Sequence, residues 1–209
     1  EELFEEIADV PASISVLIAE NGSTDGTADK VRQLMPQFPS LALLELPTPD
    51  YGAAMRAGFL ATDGEWVVNF DIDYFSADFL TSVLDAGSDV DLVLASKRAD
   101  GADDRRSPAR RFATFTFNQI LRFVLSSGVS DTHGRKAVRR RVIDAIADDV
   151  ISTQDLFDTE LVVRSERAGF QIVEIPAVVE EKREARTSLA TRVPRTLRGV
   201  WRIRNTLKA

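Results

Sequence analysis

Trp66-Val67-Val68-Asn69-Phe70-Asp71-Ile72-Asp73-Tyr74-Phe75 is an apolar run that stops at two carboxylates one residue apart. A strand this apolar is buried, and open α/β sheets gather their ligands outside the carboxyl ends of such strands. Asp71 therefore arrives where a site is expected, and at the strand-to-loop transition both aspartates can turn toward one hard cation. Aspartate is equally common in turns, where it caps its own backbone. From these ten residues alone, metal site and turn both stay open.

The bulk composition narrows the classes. A chain of 209 residues, 44% hydrophobic and 28% charged, suits one α/β domain with appendages. The absence of cysteine removes disulfide frameworks, thiolate metal sites and cysteine nucleophiles, and suits a reducing compartment. Metal chemistry would then rest on carboxylates and the single histidine, His133. A net charge of −7 argues against nucleic acid as the main partner. That charge is unevenly spread: from Lys182 onward nine Lys or Arg meet only Glu184, a local +8 that leaves −15 on the remainder. Such a split predicts an acidic body and a basic tail that meets anionic groups. No apolar run reaches the roughly 18 residues of a membrane span and no secretory signal is visible, so a cytoplasmic protein, or a peripheral one on the cytoplasmic face of a membrane, is expected.

Around the opening stretch, strand and helix patterns alternate. Glu1 to Val10 reads as a helix ended by Pro11, and starting in a helix without a methionine leads us to expect further chain before Glu1. Ile14 to Ala19 is a strand running into Glu20-Asn21-Gly22-Ser23-Thr24-Asp25-Gly26-Thr27, dense in turn formers and helix caps. This loop lacks the ending of a Walker phosphate loop and the glycine spacing of a dinucleotide fingerprint. Helix Ala28 to Leu34, strand Leu41 to Leu46 and helix Gly52 to Ala61 follow; Arg56 on the last reads as a solvated charge or a phosphate contact. Beyond the opening strand come helix Ala77 to Ala86 and strand Asp91 to Ser96, which delivers Lys97 and Arg98 to the aspartates' rim if the sheet is parallel there. The alternation predicts a mainly parallel, twisted sheet with helices on both faces.

The second half is less regular. Gly101 to Pro108 is a charged loop, and Arg110 to Leu125 a helix whose aromatic face, Phe112, Phe115 and Phe123, reads as core. Asp131-Thr132-His133-Gly134-Arg135-Lys136 concentrates an acid, an imidazole and cations around a glycine. Helix Phe157 to Ala168 carries Asp158 and Glu160, strand Phe170 to Ile175 closes at Pro176, and Glu180 to Glu184 is a charged linker. The tail Val193 to Leu207 alternates apolar residues with arginines, the pattern of a helix packed on the body or of one lying on a membrane surface.

Several of these segments, in this order, resemble family 2 glycosyltransferases. Glu20 to Thr27 resembles the family's Asp-Asp-Gly-Ser-x-Asp-Gly-Thr segment. Gly52-x-Ala54-x-Arg56-x-Gly58, Gly64-Glu65-Trp66-Val67 and Asp71-Ile72-Asp73 resemble its helix, strand and Asp-x-Asp metal motif. Asp131 to Lys136, Phe157-Asp158-Thr159-Glu160-Leu161 and Ala168-Gly169-Phe170 resemble the dolichol-phosphate mannosyltransferase-like branch. The family's first strand and its nucleotide loop have no counterpart, Glu20-Asn21 stands for two aspartates, and its Arg-x-x-Gly-x-Ser-Lys segment survives only as Arg183 and Ser188.

The resemblance implies a GT-A fold, residues 1–180 as the catalytic domain and 181–209 as a basic amphipathic segment. It also implies a GDP- or UDP-hexose donor, Mg²⁺ or Mn²⁺ held by Asp71 and Asp73, and inversion at the anomeric carbon. Glu20, Asn21, Ser23, Asp25, Arg56, Asp71, Ile72, Asp73 and Arg183 are then expected around the donor, and Lys97, Arg98, Arg111, Asp131, Lys136 and Asp158 around the acceptor. A phosphate acceptor is already ionised and needs cations, whereas a sugar hydroxyl needs a general base. The cations and the basic tail favour a polyprenyl phosphate at a membrane surface, with Asp131, then Asp158, as the group that orients or deprotonates the acceptor. Two alternatives stand beside it: transfer to a sugar hydroxyl of a soluble or glycan acceptor, and a non-catalytic nucleotide-sugar-binding domain.

Overall fold

The structure, a computed structural model, describes residues 1–71, 75–105, 107–179 and 189–207. Helix α1 (Glu2–Glu6) is shorter than the sequence pattern suggests, and its Phe4 stacks on Phe38 with ring centroids 4.3 Å apart. Strand β1 (Val16–Asn21) pairs in parallel with β2 (Leu41–Leu46), with α2 (Thr27–Leu34) between them in the chain. Helix α3 (Tyr51–Ala61) follows, its N-terminus capped by the Asp50 carboxylate accepting from Ala53 N at 3.0 Å.

A four-stranded sheet forms the centre, in the order β3 (Trp66–Asn69), β6 (Lys136–Arg139), β4 (Leu92–Ser96), β7 (Ile172–Pro176). Strand β6 runs antiparallel to both β3 and β4, and β7 runs parallel to β4. Strand β6 is not among the strands expected from sequence, because four residues beginning with lysine carry too little apolar alternation to read as one. Being antiparallel to a shared neighbour makes β3 and β4 parallel to each other, so their carboxyl ends meet on one rim.

The period-2 alternation of the strands divides the core. Leu92, Leu94 and Val138 face one side, against Phe59 of α3, Val142, Ile143 and Ile146 of α6 (Arg140–Ile146), and Phe157, Leu161 and Val162 of α7 (Phe157–Arg167). Val93, Ala95 and Ala137 face the other, against Phe79 and Val83 of α4 (Ala77–Leu84). A third cluster joins Leu121 and Leu125 of α5 (Pro108–Leu125), Leu156 of a short 3-10 turn (Gln154–Leu156), Val163 of α7, and Val200 and Ile203 of α8 (Leu189–Thr206). Two short strands, β5 (Asp103–Asp104) and β8 (Val178–Val179), pair in parallel at the periphery.

Helix α5 corrects an expectation. Phe112, Phe115 and Phe123 are not core; they are 71%, 41% and 84% exposed, and Phe117 is the aromatic that turns inward. The helix has two apolar faces, and periodicity alone does not say which one the body takes. No helix among the described residues is long and apolar enough to cross a membrane.

Candidate functional site

Helix α3 organises the rim. Gly58 lies against Ala19 of β1, and Met55 Sδ accepts from Asn69 Nδ2 of β3 at 3.3 Å, so one helix covers both strands. Its N-terminus stands at both strand tips, because Asn21 Oδ1 accepts from Asp50 N at 2.6 Å while Tyr51 reaches across toward Asp158. Gly52 makes this approach possible. A Cβ there would lie 2.6 Å from Gln154 N and 2.7 Å from the Thr153 backbone, the loop that Asp50 also holds by accepting from Gln154 N at 3.0 Å.

One lysine–aspartate pair is sealed beneath this helix. Lys136 Nζ donates to Asp158 Oδ1 and to the Gly134 carbonyl, both at 2.8 Å, and the residue is 1% exposed. Asp158 stands in the first turn of α7, where the helix dipole favours a carboxylate. Its other oxygen faces the Tyr51 hydroxyl at 3.5 Å, and Asn69, paired with Lys136 across the β-ladder, completes the group. Desolvation of its hydroxyl end, then the Asp158 and Asp71 carboxylates, push the Tyr51 phenol far above its ordinary range, although over a third of the residue remains exposed. The same influence places the exposed Asp71, at the end of β3, within electrostatic reach of this cluster.

The second pair lies at the tip of β4. Lys97 Nζ donates to Asp131 Oδ2 at 2.8 Å and to the His133 carbonyl at 3.0 Å. Asp131 is buried and also accepts from His133 N at 3.1 Å, while the Lys97 side chain keeps 13% exposure. The loop is fastened from below by Glu174, whose carboxylate accepts from Ser130 N, Ser130 Oγ and Asp131 N. From the side, Asn118 of α5 donates to the Ser130 carbonyl and Phe117 meets the His133 ring edge-on at 5.4 Å. Arg98 lies over the Phe115 ring at 5.1 Å, one turn along α5 from the exposed Arg111.

Several expected roles change. Asp131 and Asp158 are both committed to lysines, so neither presents an unengaged carboxylate to take an acceptor proton. Lys136 is sealed by its own partners and does not face a substrate phosphate. Arg56 is a clamp: its Nε donates to the Ala147 carbonyl at 3.0 Å and Nη2 to Asp148 at 2.7 Å, tying α3 to the end of α6. Asn21 uses its amide oxygen to accept from Asp50 N. Asp25 is a cap of the loop before α2, accepting from Thr27 N and Oγ1, and these bonds hold its carboxyl below the usual range. Glu20 is likewise lowered by hydrogen bonds from Ser23, whose N–H it accepts at 2.6 Å, so Glu20 and Ser23 shape the loop together. Ile72, Asp73 and Arg183 lie outside the described residues, as does the charged linker 180–184.

Tyr51, Asn69 and Glu174 were missed in sequence, because an aromatic before a glycine, a polar residue inside a strand and an acid inside a strand each carry a commoner structural reading. Asp50 was missed as well, although an aspartate just ahead of a helix is a readable N-cap signal.

A mixed sheet whose strand tips carry Asp71 beside paired cations, under a helix whose N-terminus spans two strand ends, has the architecture of GT-A nucleotide-diphospho-sugar transferases. Among solved structures, glucosyl-3-phosphoglycerate synthase from Mycobacterium tuberculosis in complex with UDP superposes with a TM-score of 0.71 at 17% identity, over 97% of this chain and 74% of that one. Residues 1–146 match the profile of glycosyl transferase family 2, and the chain belongs to that family. Its curated relatives include Glycosyltransferase AglD of Haloferax volcanii, 27% identical over 183 residues, which are 85% of this chain and 29% of the relative. Undecaprenyl-phosphate mannosyltransferase of Micrococcus luteus is 30% identical over 181 residues, 83% of this chain and 74% of that protein.

Proposed function

We propose that this chain moves a hexose from a nucleotide-sugar donor to a polyprenyl phosphate at a membrane surface, with inversion at the anomeric carbon. The observation that carries the acceptor class is the commitment of both Asp131 and Asp158 to lysines. A site whose acids are neutralised suits an acceptor that arrives ionised and needs only positioning by cations. Lys97 and Arg98, at the tip of β4, supply cations to that rim. The name of the Micrococcus luteus relative, an undecaprenyl-phosphate mannosyltransferase, supports the same class.

The donor diphosphate is assigned to the rim between Asp71 and the Glu20–Ser23 loop. The donor set fits a hard divalent ion such as Mg²⁺ or Mn²⁺: the chain contains no thiol, and Asp71 ends a strand exposed at the rim. Asp71 and Asp73 would hold it, where it would neutralise charge developing on the leaving nucleoside diphosphate. Tyr51, kept protonated, hydrogen-bonds toward Asp158 and screens that carboxylate from Asp71, while Lys136 balances its charge from beneath. Inversion follows from one displacement, in which the acceptor phosphate oxygen attacks the anomeric carbon as the donor diphosphate departs on the opposite face. In this reading residues 1–180 are the catalytic body and the basic segment 181–209 meets the cytoplasmic face of a membrane.

The test is a transfer assay with a panel of GDP- and UDP-hexoses, a polyprenyl phosphate and the corresponding polyprenol, with and without Mn²⁺. Transfer to the phosphate alone, lost without the metal and lowered about 10²-fold or more in Asp71→Asn, is expected. Transfer to the free hydroxyl, or nucleotide binding with no turnover on any acceptor, would replace the proposal by one of its alternatives.

A further inference from the structure

Asp50 stands where three separate stretches of backbone meet. On one side the tip of β1 closes on residues 48–50: Asn21 Oδ1 accepts from Asp50 N at 2.6 Å, and a Cβ on Gly22 would lie 2.9 Å from the peptide joining Thr48 to Pro49. On the other side a Cβ on Gly52 would lie 2.6 Å from Gln154 N. Both approaches are made at a glycine, because any side chain there would hold the backbones apart.

The Asp50 carboxylate joins the second contact to the helix. Its Oδ1 accepts from Ala53 N, as an N-cap does, and also from Gln154 N, 104 residues further along the chain, both at 3.0 Å. Capping α3 requires only the first of these bonds. The second holds Gln154 at φ +53°, the left-handed region in which a Cβ crowds the backbone. The Gln154 side chain is exposed, so its own burial does not enforce that turn. At the other end of the turn Ser152 N donates to Glu160 of α7 at 2.7 Å, so the segment is tied to α7 and to α3 at once. It then feeds directly into α7, where Asp158 pairs with Lys136 and Thr159 Oγ1 meets Thr132 Oγ1 at 3.0 Å, inside the loop that carries Asp131 and His133.

We propose that Asp50 is a positioning residue that fixes the spacing between the donor half of the site, at the Glu20–Ser23 loop, and the acceptor half, at α7 and the Asp131–His133 loop. It acts through the two backbones it joins and not by contact with either substrate. In its functional sense this rests on the transfer reading above. A displacement of about 1 Å between reacting groups lowers turnover about 10²-fold, whereas each substrate keeps its own contacts on its own half. Loss of the joint therefore falls on kcat and spares both KM values.

The experiment compares the full chain with Asp50→Ser, with Asp50→Asn, and with Asp50→Ser combined with Gln154→Gly, by amide hydrogen exchange in NMR and by steady-state kinetics. Serine still caps α3 but is too short to hold Gln154 as well, while asparagine keeps an oxygen in place for both bonds. Exchange at Gln154 N should quicken at least about tenfold in Asp50→Ser and stay within about threefold of the parent in Asp50→Asn. In Asp50→Ser kcat should fall about tenfold or more with both KM values within about threefold, and Asp50→Asn should return kcat to within about threefold of the parent. Adding Gln154→Gly to Asp50→Ser should restore about threefold or more of kcat, since glycine takes the left-handed turn without being held there. Gln154 exchange indifferent to Asp50→Ser overturns the proposal. So does a raised KM with unchanged kcat, a lowered melting temperature with unchanged kcat, or a loss of kcat in Asp50→Asn equal to that in Asp50→Ser. Absence of transfer to any acceptor by the parent removes the functional reading instead, and the Gln154 exchange pattern then decides by itself whether Asp50 holds the joint.

Discussion

The Lys136–Asp158 and Lys97–Asp131 pairs are chemically the same, with the same 2.8 Å separation, yet they occupy different worlds. Lys136 begins an inner strand, flanked on both sides by β3 and β4, and its ammonium is held by Asp158 of α7 and the Gly134 carbonyl, with the residue 1% exposed. Lys97 follows the last residue of its strand, where the ladder has ended and one side opens to the rim. A charge pair cut off from water is costly to break, while one with partial access to solvent can exchange partners with an incoming anion. The first pair holds the site's shape and the second can take part in its chemistry.

Lys136→Met is the most direct way to break that contrast. It leaves the Asp158 carboxylate buried without its cation and should cost about 3–5 kcal/mol, read from denaturant midpoints. Stability unchanged within about 0.5 kcal/mol would show that the pair is not sealed. Gly52→Ala, which drives a methyl into the Thr153–Gln154 backbone, should cost about 1–3 kcal/mol by the same measurement and lower transfer as Tyr51 is displaced.

Lys97→Met sharpens the comparison from the other side. Its stability cost should be smaller than that of Lys136→Met, about 1.5–3 kcal/mol for the lost charged hydrogen bonds. Its acceptor KM should rise, with the donor KM nearly unchanged, in steady-state assays. If both lysine variants lose equal stability and equal activity, the two pairs do not differ in role.

The smallest effect is a pH dependence. Tyr51 has its pKa raised by the fold, so the contribution of its neutral phenol is fully present below about pH 10. It is lost as pH rises beyond that, because the unfolded chain releases the proton first and binds fewer protons than the folded one. Tyr51→Phe should therefore show a shallower fall in melting temperature than the parent between about pH 10 and 12.

Much of the fold was legible in order. The strand Leu41–Leu46 appears with the expected limits, and β1, β3, β4 and β7 differ from expectation only at their ends. Their signal is local, short β-branched or apolar runs bounded by turn formers. Strand β6 escaped because its burial is imposed by neighbours: Lys136 reads as a surface residue until Asp158, some twenty positions later, is brought beneath it. Arg56 and Asn21 stood in motif positions, yet their partners Asp148 and Asp50 lie elsewhere in the chain and decide what those side chains do.

Residue pattern by itself determined the alternation of strands and helices, the family and the acidic tip at Asp71, since each depends on residues within a few positions of one another. Tertiary structure alone decided which of two identical ion pairs is sealed, which face of α5 is left to solvent, and that Asp131 and Asp158 are already neutralised. Those outcomes depend on burial and on partners distant in the chain, and the cost of isolating a charge or exposing a ring is set only when the whole fold closes around it.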